Sequence, residues 1–301
     1  MKNRIIRIGS RESVLAVIQS ELVIKEIKRV CPDVETELVT MKTTGDMILD
    51  RSLEQIGGKG LFVKELDRAL LEGRCDLTVH SLKDMPMEVP EELPILAYSE
   101  REDKRDVLVL RKGLEALPAG PVIGTFSRRR RMQAAKLYPD AVFKGIRGNV
   151  VTRLRKLDDG EYDALILAAA GLLRMGYGER ISRYFSVDEI LPSAGQGIMA
   201  VQGRKDDENV SFTGRVNSSK SQAMATAERA FVRILDGGCS SPSAACADVK
   251  DGRILLKGLY YDEITDRYIT GTAEDTLGKE EELGVKLALS LKKAFAEGKN
   301  E

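Results

Sequence analysis

The fold class that this sequence predicts is α/β, in two or three domains, with a small α+β unit at the C-terminal end, and three observations carry the expectation. Strand-length apolar runs alternate with helical patterns through the first 200 or so residues. A polar stretch, "KDDENVSFTGRVNSSKS" (205–221), then interrupts them without apolar periodicity and reads as a linker or surface connection near a domain boundary. Beyond it the pattern becomes a long helix, a strand pair and a closing helix.

Taken in order, "IIRIGS" and "VETELVTM" read as strands around an amphipathic helix whose Val14, Leu15, Ile18, Leu22 and Ile27 fall on one side, a β-α-β unit. A helix over "LFVKELDRALLEG" follows, then strands "DLTVH", "LPILAY", "DVLVLR" and "PVIGT", a helix over 128–137, strand "AVFKGI", a helix over 149–158 and strand "DALILAAA". This alternation predicts mostly parallel sheets covered by helices. The last part holds helix "QAMATAERAFVRIL", a turn "DGGCSSPSAA" around Cys239, strands "RILLKGLYY" and "DRYITGTAE", and helix "EELGVKLALSLKKAFA".

At 301 residues with 43% hydrophobic content, the chain is long enough to bury a sizeable core. Its 47 basic and 47 acidic residues cancel, which removes the long-range field that would gather nucleic acid or anionic lipid. The apolar run of "MKNRIIRIGS" is too short for a secretory signal, and no stretch approaches the roughly 18 apolar residues of a membrane span. A cytoplasmic protein is expected. Cys31, Cys75, Cys239 and Cys246 form no C-x-x-C pair, so neither a structural disulfide nor a metal site is expected.

The chemistry lies in where arginine occurs. "GTFSRRRRMQAAKL" follows a strand and opens a helix with Ser127 as a candidate N-cap, so Arg128 to Arg131 crowd the positive end of a helix dipole. An external anion would relieve that conflict; a solvated basic face is the simpler alternative. Consecutive helical residues diverge by about 100°, so two of the four at most form one clamp. "IRGNVVTRLRK" repeats the arrangement with Arg147 at a strand end and Arg153 in the helix beyond, and Arg174 follows the next apolar segment. Strand ends that meet helix starts are where open α/β sheets bind ligands, and three of them imply a ligand with several carboxylates or phosphates. In "TVHSLKDMPMEVP" a strand runs into Lys83 and Asp84 before Pro86. Asp84 is there either a turn residue bonding its own backbone or a group that holds positive charge or passes a proton. His80, the sole histidine, sits in a strand pattern as a core residue would, which removes most Ser-His and Cys-His schemes. "GGKGLF" (57–62) lacks the full spacing of a phosphate loop and reads as a mobile loop.

Together "GSRES" (9–13), "GGKGLFVKEL" (57–66), "VHSLKDMP" (79–86), "GTFSRRR" (124–130), "RGNVVTRL" (147–154), "LPSAGQG" (191–197), "ATAERAF" (225–231) and "GGCSSP" (237–242) resemble the porphobilinogen deaminase (hydroxymethylbilane synthase) family. The resemblance runs in order over nearly the whole chain. It implies two type II α/β domains like those of periplasmic binding proteins, 1–98 with 198–216 and 99–197, joined by crossovers near Ser99 and Gly197, and a third domain, 217–301, that carries the cysteine. It implies a dipyrromethane cofactor held by a thioether to Cys239; from the residues alone, a buried free thiol is the plainer reading of that turn.

The implied activity is that of a transferase. Four porphobilinogen molecules add head to tail, each losing ammonia, to build a hexapyrrole on Cys239; hydrolysis then releases hydroxymethylbilane and leaves the dipyrromethane in place. Each pyrrole carries an acetate and a propionate, which accounts for bidentate arginine in a protein of zero net charge. By motif, Lys83, Asp84, Ser127, Arg129, Arg130 and Arg147 would hold the cofactor, and Arg11, Ser13, Phe62, Arg147, Arg153 and Arg174 the substrate, with Lys59 and Phe62 on a loop over the cleft. Asp84 would be the catalytic carboxylate, stabilising cations delocalised onto pyrrole nitrogen. No metal, nucleic acid or membrane partner is implied, and a monomer suffices. The chain departs from the family pattern at Phe126 and Arg128, where serine and leucine are usual, and at Ser240 and Ser241, where glutamine and valine are usual. A non-enzymatic two-lobed clamp for dicarboxylates would instead need a secretion signal, and an RNA-binding protein would need clustered aromatics, against 5% here and no tryptophan.

Overall fold

The computed structural model describes residues 5–43, 63–235 and 242–298. Two compact units emerge, Met1–Glu102 with Ile198–Gln222 and Asp103–Gly197 with Ala223–Glu301.

In the first unit, β1 (Ile6–Arg11), α1 (Val14–Val30) and β2 (Thr36–Met41) form the predicted β-α-β unit, and α2 (Lys64–Leu71) precedes β3 (Leu77–Ser81). With β4 (Ile95–Tyr98) and β10 (Met199–Gly203) these strands make a five-stranded sheet in the order β2-β1-β3-β10-β4. β1 runs parallel to β2 and β3, while β10 is antiparallel to β3 and β4, so the sheet is mixed rather than mostly parallel. The core joins Ile6, Ile8, Leu77, Val79 and Val201 of the sheet to Val23 and Ile27 of α1.

Two expectations fail here. The buried side of α1 is Ala16, Gln19, Ser20, Val23 and Ile27, whereas Val14 and Leu22 face solvent. The apolar pattern misleads because the buried side includes polar groups, and the Gln19 amide donates to the Ser81 hydroxyl at 2.9 Å. The supposed linker is also structured. It holds a 3-10 segment, Glu208–Arg215, whose Val210 joins the core, and it runs into α6 (Ser219–Ile234).

The second unit repeats the topology. β5 (Asp106–Leu110), β6 (Val122–Gly124), β7 (Val142–Lys144), β8 (Ala164–Ala168) and β9 (Arg183–Tyr184) are ordered β7-β6-β8-β5-β9, with α3 (Arg128–Leu137), α4 (Val150–Asp158) and the short α5 (Ala169–Arg174) following β6, β7 and β8. Here too the fourth strand, β5, is antiparallel to both neighbours. In each sheet that reversed strand is the first one laid down after the chain passes from one unit to the other, which is why alternation alone overestimates parallel pairing. β8, and β5 beyond Asp106, are apolar because both faces are covered. Val107, Val109, Leu165 and Leu167 pack on one side with Leu154, Leu157 and Leu172, and Leu108, Ala164 and Ile166 on the other with Ile123 and Phe185. Each buried Val, Leu, Ile or Phe side chain among them contributes about 1.5–3 kcal/mol.

The α+β part of this unit has three antiparallel strands rather than a pair: β11 (Ala244–Lys250), β12 (Arg253–Asp262) and β13 (Arg267–Thr276), with α7 (Glu280–Ala296) after them. α6 and α7 approach so closely at Gly284 that a Cβ there would lie 2.4 Å from the Ala227 carbonyl oxygen. Among the described residues no helix is long and apolar enough to cross a membrane.

Candidate active site

Parallel strands bring their carboxyl ends to one edge of a sheet, and the sequence places its candidate residues at those ends. In the first unit Arg11 closes β1, and Ser13 caps α1 with its hydroxyl accepting from Ala16 N at 3.4 Å. At the end of neighbouring β3 the chain makes a 3-10 turn, Leu82–Asp84. Fully buried Leu82 and nearly buried Met85 anchor it, Leu82 N donates to Ile198 O at 3.0 Å, and Lys83 and Asp84 stay half-buried between them. His80 lies inside β3 within 2.9 Å of the Thr78 hydroxyl. Burial, with the Arg11 charge adding to it, pushes its pKa down to about 4, so it is neutral at pH 7 and fits the core role expected of it.

In the second unit β6, β7 and β8 deliver Ser127, Arg147 and Arg174. Ser127 is the N-cap of α3, its hydroxyl accepting from Arg130 N at 3.4 Å. The two guanidiniums that point inward are Arg129 and Arg130, and their partner is internal. Arg129 Nη1 donates to Asp106 Oδ2 at 2.7 Å and to Leu191 O at 2.6 Å; Arg130 Nε and Nη2 donate to Asp106 Oδ1 at 3.0 and 2.7 Å. Gln196 Nε2 adds a bond to the same oxygen at 3.1 Å. The charge at this helix start, for which the sequence predicts an external anion or a solvated basic face, is thus partly offset by an internal carboxylate, and Arg128 likewise has a partner in Asp266 at 3.4 Å.

The group still has an excess. Burial alone raises the Asp106 carboxyl, but the two guanidiniums outweigh it and hold it far below the usual carboxylate range. Burial lowers Arg129 from its ordinary value, although a guanidinium keeps its proton. Two cations against one anion leave one formal positive charge among side chains 3%, 10% and 0% exposed, and buried Arg129 Nε has no hydrogen-bond partner among the described residues. A ligand bearing carboxylates fits that excess.

At the next strand end the arrangement differs. Arg147 forms no ion pair among the described residues, and its guanidinium carbon lies 4.2 Å from the centre of the Phe126 ring. Gly148, at φ +114°, makes the turn into α4, where a Cβ would meet Thr152 Cγ2 at 2.8 Å. Asn149 caps α4, and Arg153, one turn in, donates from Nε to Gly148 O at 2.7 Å. Arg174 donates to Gly197 O at 2.6 Å.

Lys59, Phe62, Cys239, Ser240 and Ser241 lie outside the described residues. The other three cysteines, Cys31, Cys75 and Cys246, are buried free thiols. Sequence reasoning missed Asp106 and Gln196. The only signal for Asp106 was a carboxylate opening an otherwise apolar strand.

The family model described as "Porphobilinogen deaminase, dipyromethane cofactor binding domain" matches residues 6–211, and "Porphobilinogen deaminase, C-terminal domain" matches 222–293. A porphobilinogen deaminase of Acetivibrio thermocellus is 54% identical over 289 residues, 96% of this chain and 98% of that one. Those of Ruminiclostridium cellulolyticum and Alkaliphilus oremlandii are 56% identical over 86% of this chain and 88% of theirs, and 53% over 95% and 96%. Among solved structures, the second substrate-binding domain of a putative amino acid ABC transporter from Streptococcus pneumoniae aligns with 77% of this chain and 98% of its own at 15% identity and TM-score 0.43. The chain belongs to the porphobilinogen deaminase family, whose dipyrromethane-dependent synthesis of a linear tetrapyrrole it catalyses.

Proposed function

We propose that Asp84 is the catalytic carboxylate of this reaction, that Cys239 anchors the dipyrromethane, and that Arg11, Ser13, Lys83, Ser127, Arg129, Arg130, Arg147, Arg153 and Arg174 bind the acetate and propionate arms of cofactor and substrate. The observation that carries the reading is the excess positive charge at strand ends: one uncompensated charge in the Arg129–Arg130–Asp106 group, and Arg147 without an ion pair. When bound, the dipyrromethane supplies the pyrrole α-carbon to which the first porphobilinogen is joined.

The chain's own residues would then divide two tasks. Guanidiniums bind carboxylates bidentately and fix both the position and the direction of an acidic arm, which a lysine ammonium does not. Their positive charge also favours the ionised form of those arms. Asp84 acts on charge of the opposite sign. Loss of ammonia from porphobilinogen leaves a cation delocalised onto the pyrrole nitrogen, and a carboxylate held rigidly by the buried flanks Leu82 and Met85 stabilises that cation more than the neutral ground state. The same oxygen atoms are able to accept the pyrrole N–H hydrogen bond before and after the step. The reaction requires no second copy of the chain, which acts on this reading as a cytoplasmic monomer.

Asp84→Asn tests the assignment. Turnover should fall by about 10²–10³-fold or more, the scale for removing one preorganised electrostatic group, while porphobilinogen still binds. Near-normal turnover would take Asp84 out of the mechanism.

A further inference from the structure

A second cationic site lies on the other side of α3. Arg128, Arg131, Met132, Ala135 and Lys136 are spaced i, i+3, i+4, i+7 and i+8, one stripe of the helix, and with Asp266, Arg267, Tyr268 and Ile269 they line a cavity of about 740 Å3. A stripe of that spacing facing another element is ordinarily apolar, yet of these five helix residues only Met132 packs with the apolar cluster of Leu191, Leu259 and Tyr261. The remainder is charge. Four cations face one carboxylate, Asp266, which already receives Arg128 Nη2 at 3.4 Å and the Tyr261 hydroxyl. Arg128 lies 4.7 Å over the Tyr261 ring, and Lys136 Nζ 4.0 Å over the Tyr268 ring. Arg131, Lys136 and Arg267 form no ion pair among the described residues.

The single carboxylate Asp266, which also attracts Arg131, leaves a net excess of three positive charges around one concavity, and two of the four cations arise from the first turn of a helix, where positive charge is disfavoured. Arg129, Arg130, Gln133 and Ala134 are the buried residues of the same helix, so this stripe is separate from the Asp106 group. The volume suits a small molecule rather than a single ion. We propose that the cavity binds a small multivalent anion, a molecule carrying two or more phosphate or carboxylate groups, with Arg131 and Arg267 as bidentate ligands and Lys136 as a point charge on the aromatic wall.

Calorimetric titration of the full-length holoenzyme with inorganic triphosphate and, separately, with citrate tests this, at low ionic strength and against matched sodium chloride. Saturable binding of at least one is expected, triphosphate preference indicating a phosphate carrier and citrate preference a carboxylate carrier. Arg131→Gln/Arg267→Gln should weaken that binding by about a hundredfold or more, the value of one charge-assisted hydrogen bond lost at each arginine, and Lys136→Gln by less. Both variants alter exposed side chains without ion pairs, so porphobilinogen turnover in the absence of the anion should match the wild type. No saturable binding of either anion, binding that the double variant leaves intact, or binding abolished by Arg147→Leu instead would overturn the proposal.

Discussion

The entrances to α3 and α4 make a comparison within one unit. Both follow a parallel strand, both are capped by a polar side chain, and both carry arginine where a helix favours anions. At α3 the inward arginines are largely buried against Asp106; at α4, Arg147 lies on Phe126 and has no ion pair among the described residues. The difference teaches that burial decides what an arginine is available to do. A guanidinium removed from water requires an internal counter-ion, so most of the charge at α3 is committed to the fold. Half-buried Arg147 has no such counter-ion among the described residues, so its charge is not committed to the fold.

The largest effect expected from this contrast is at Asp106. Asp106→Asn leaves two buried cations facing no anion and should cost about 3–5 kcal/mol of unfolding free energy, read by urea denaturation of the full chain. A loss below about 1 kcal/mol would show that the triad does not hold the fold. The same carboxylate gives a pH signature. Its pKa is depressed in the folded state, so its contribution is complete above the ordinary aspartate value of about 3.9 and declines as pH falls below it. The Asn variant should therefore lose less stability than the wild type between about pH 5 and pH 2.

A smaller effect belongs to α4, and it falls on function rather than on stability. Arg147→Leu should lower kcat/KM by about ten- to a hundredfold, the value of a charge-assisted pair, with little change in the urea midpoint. Smallest of all is Phe126→Ala, which removes the ring beneath the guanidinium, worth about 0.5–1 kcal/mol, and should reduce kcat/KM only several-fold. Equal effects of the two, or a stability loss at Arg147 matching that at Asp106, would erase the distinction between the entrances.

How far the sequence reveals these features depends on the range of the interaction. Helix starts at Ser127 and Asn149 are legible because a cap acts over three residues, as are β5 and β8, whose apolar runs need no partner to be recognised. β10 escapes notice although it lies inside the first sheet: "MAVQG" is short, ends in glycine and is buried on both faces, so it has no alternation to detect. α1 shows its exposed apolar residues and hides its buried polar ones. Asp106 is the instructive omission. Its arginines are 23 and 24 residues further along the chain, and nothing local to "RDVLVL" indicates that its first carboxylate will neutralise them. Arg128 is similar, since its partner Asp266 is 138 residues away. The sequence thus exposes where cations stand at the sheet edges, while tertiary structure decides which of them the fold itself neutralises.

The proposal that these edges serve a tethered chain of acidic pyrroles is tested most directly by the intact mass of the purified protein beside that of Cys239→Ser. The wild type should carry a surplus equal to two linked pyrrole units, extended by further units when a little porphobilinogen is added, and the variant should carry none. An active wild type at the unmodified mass, or a Cys239→Ser protein that keeps the surplus, would contradict the account.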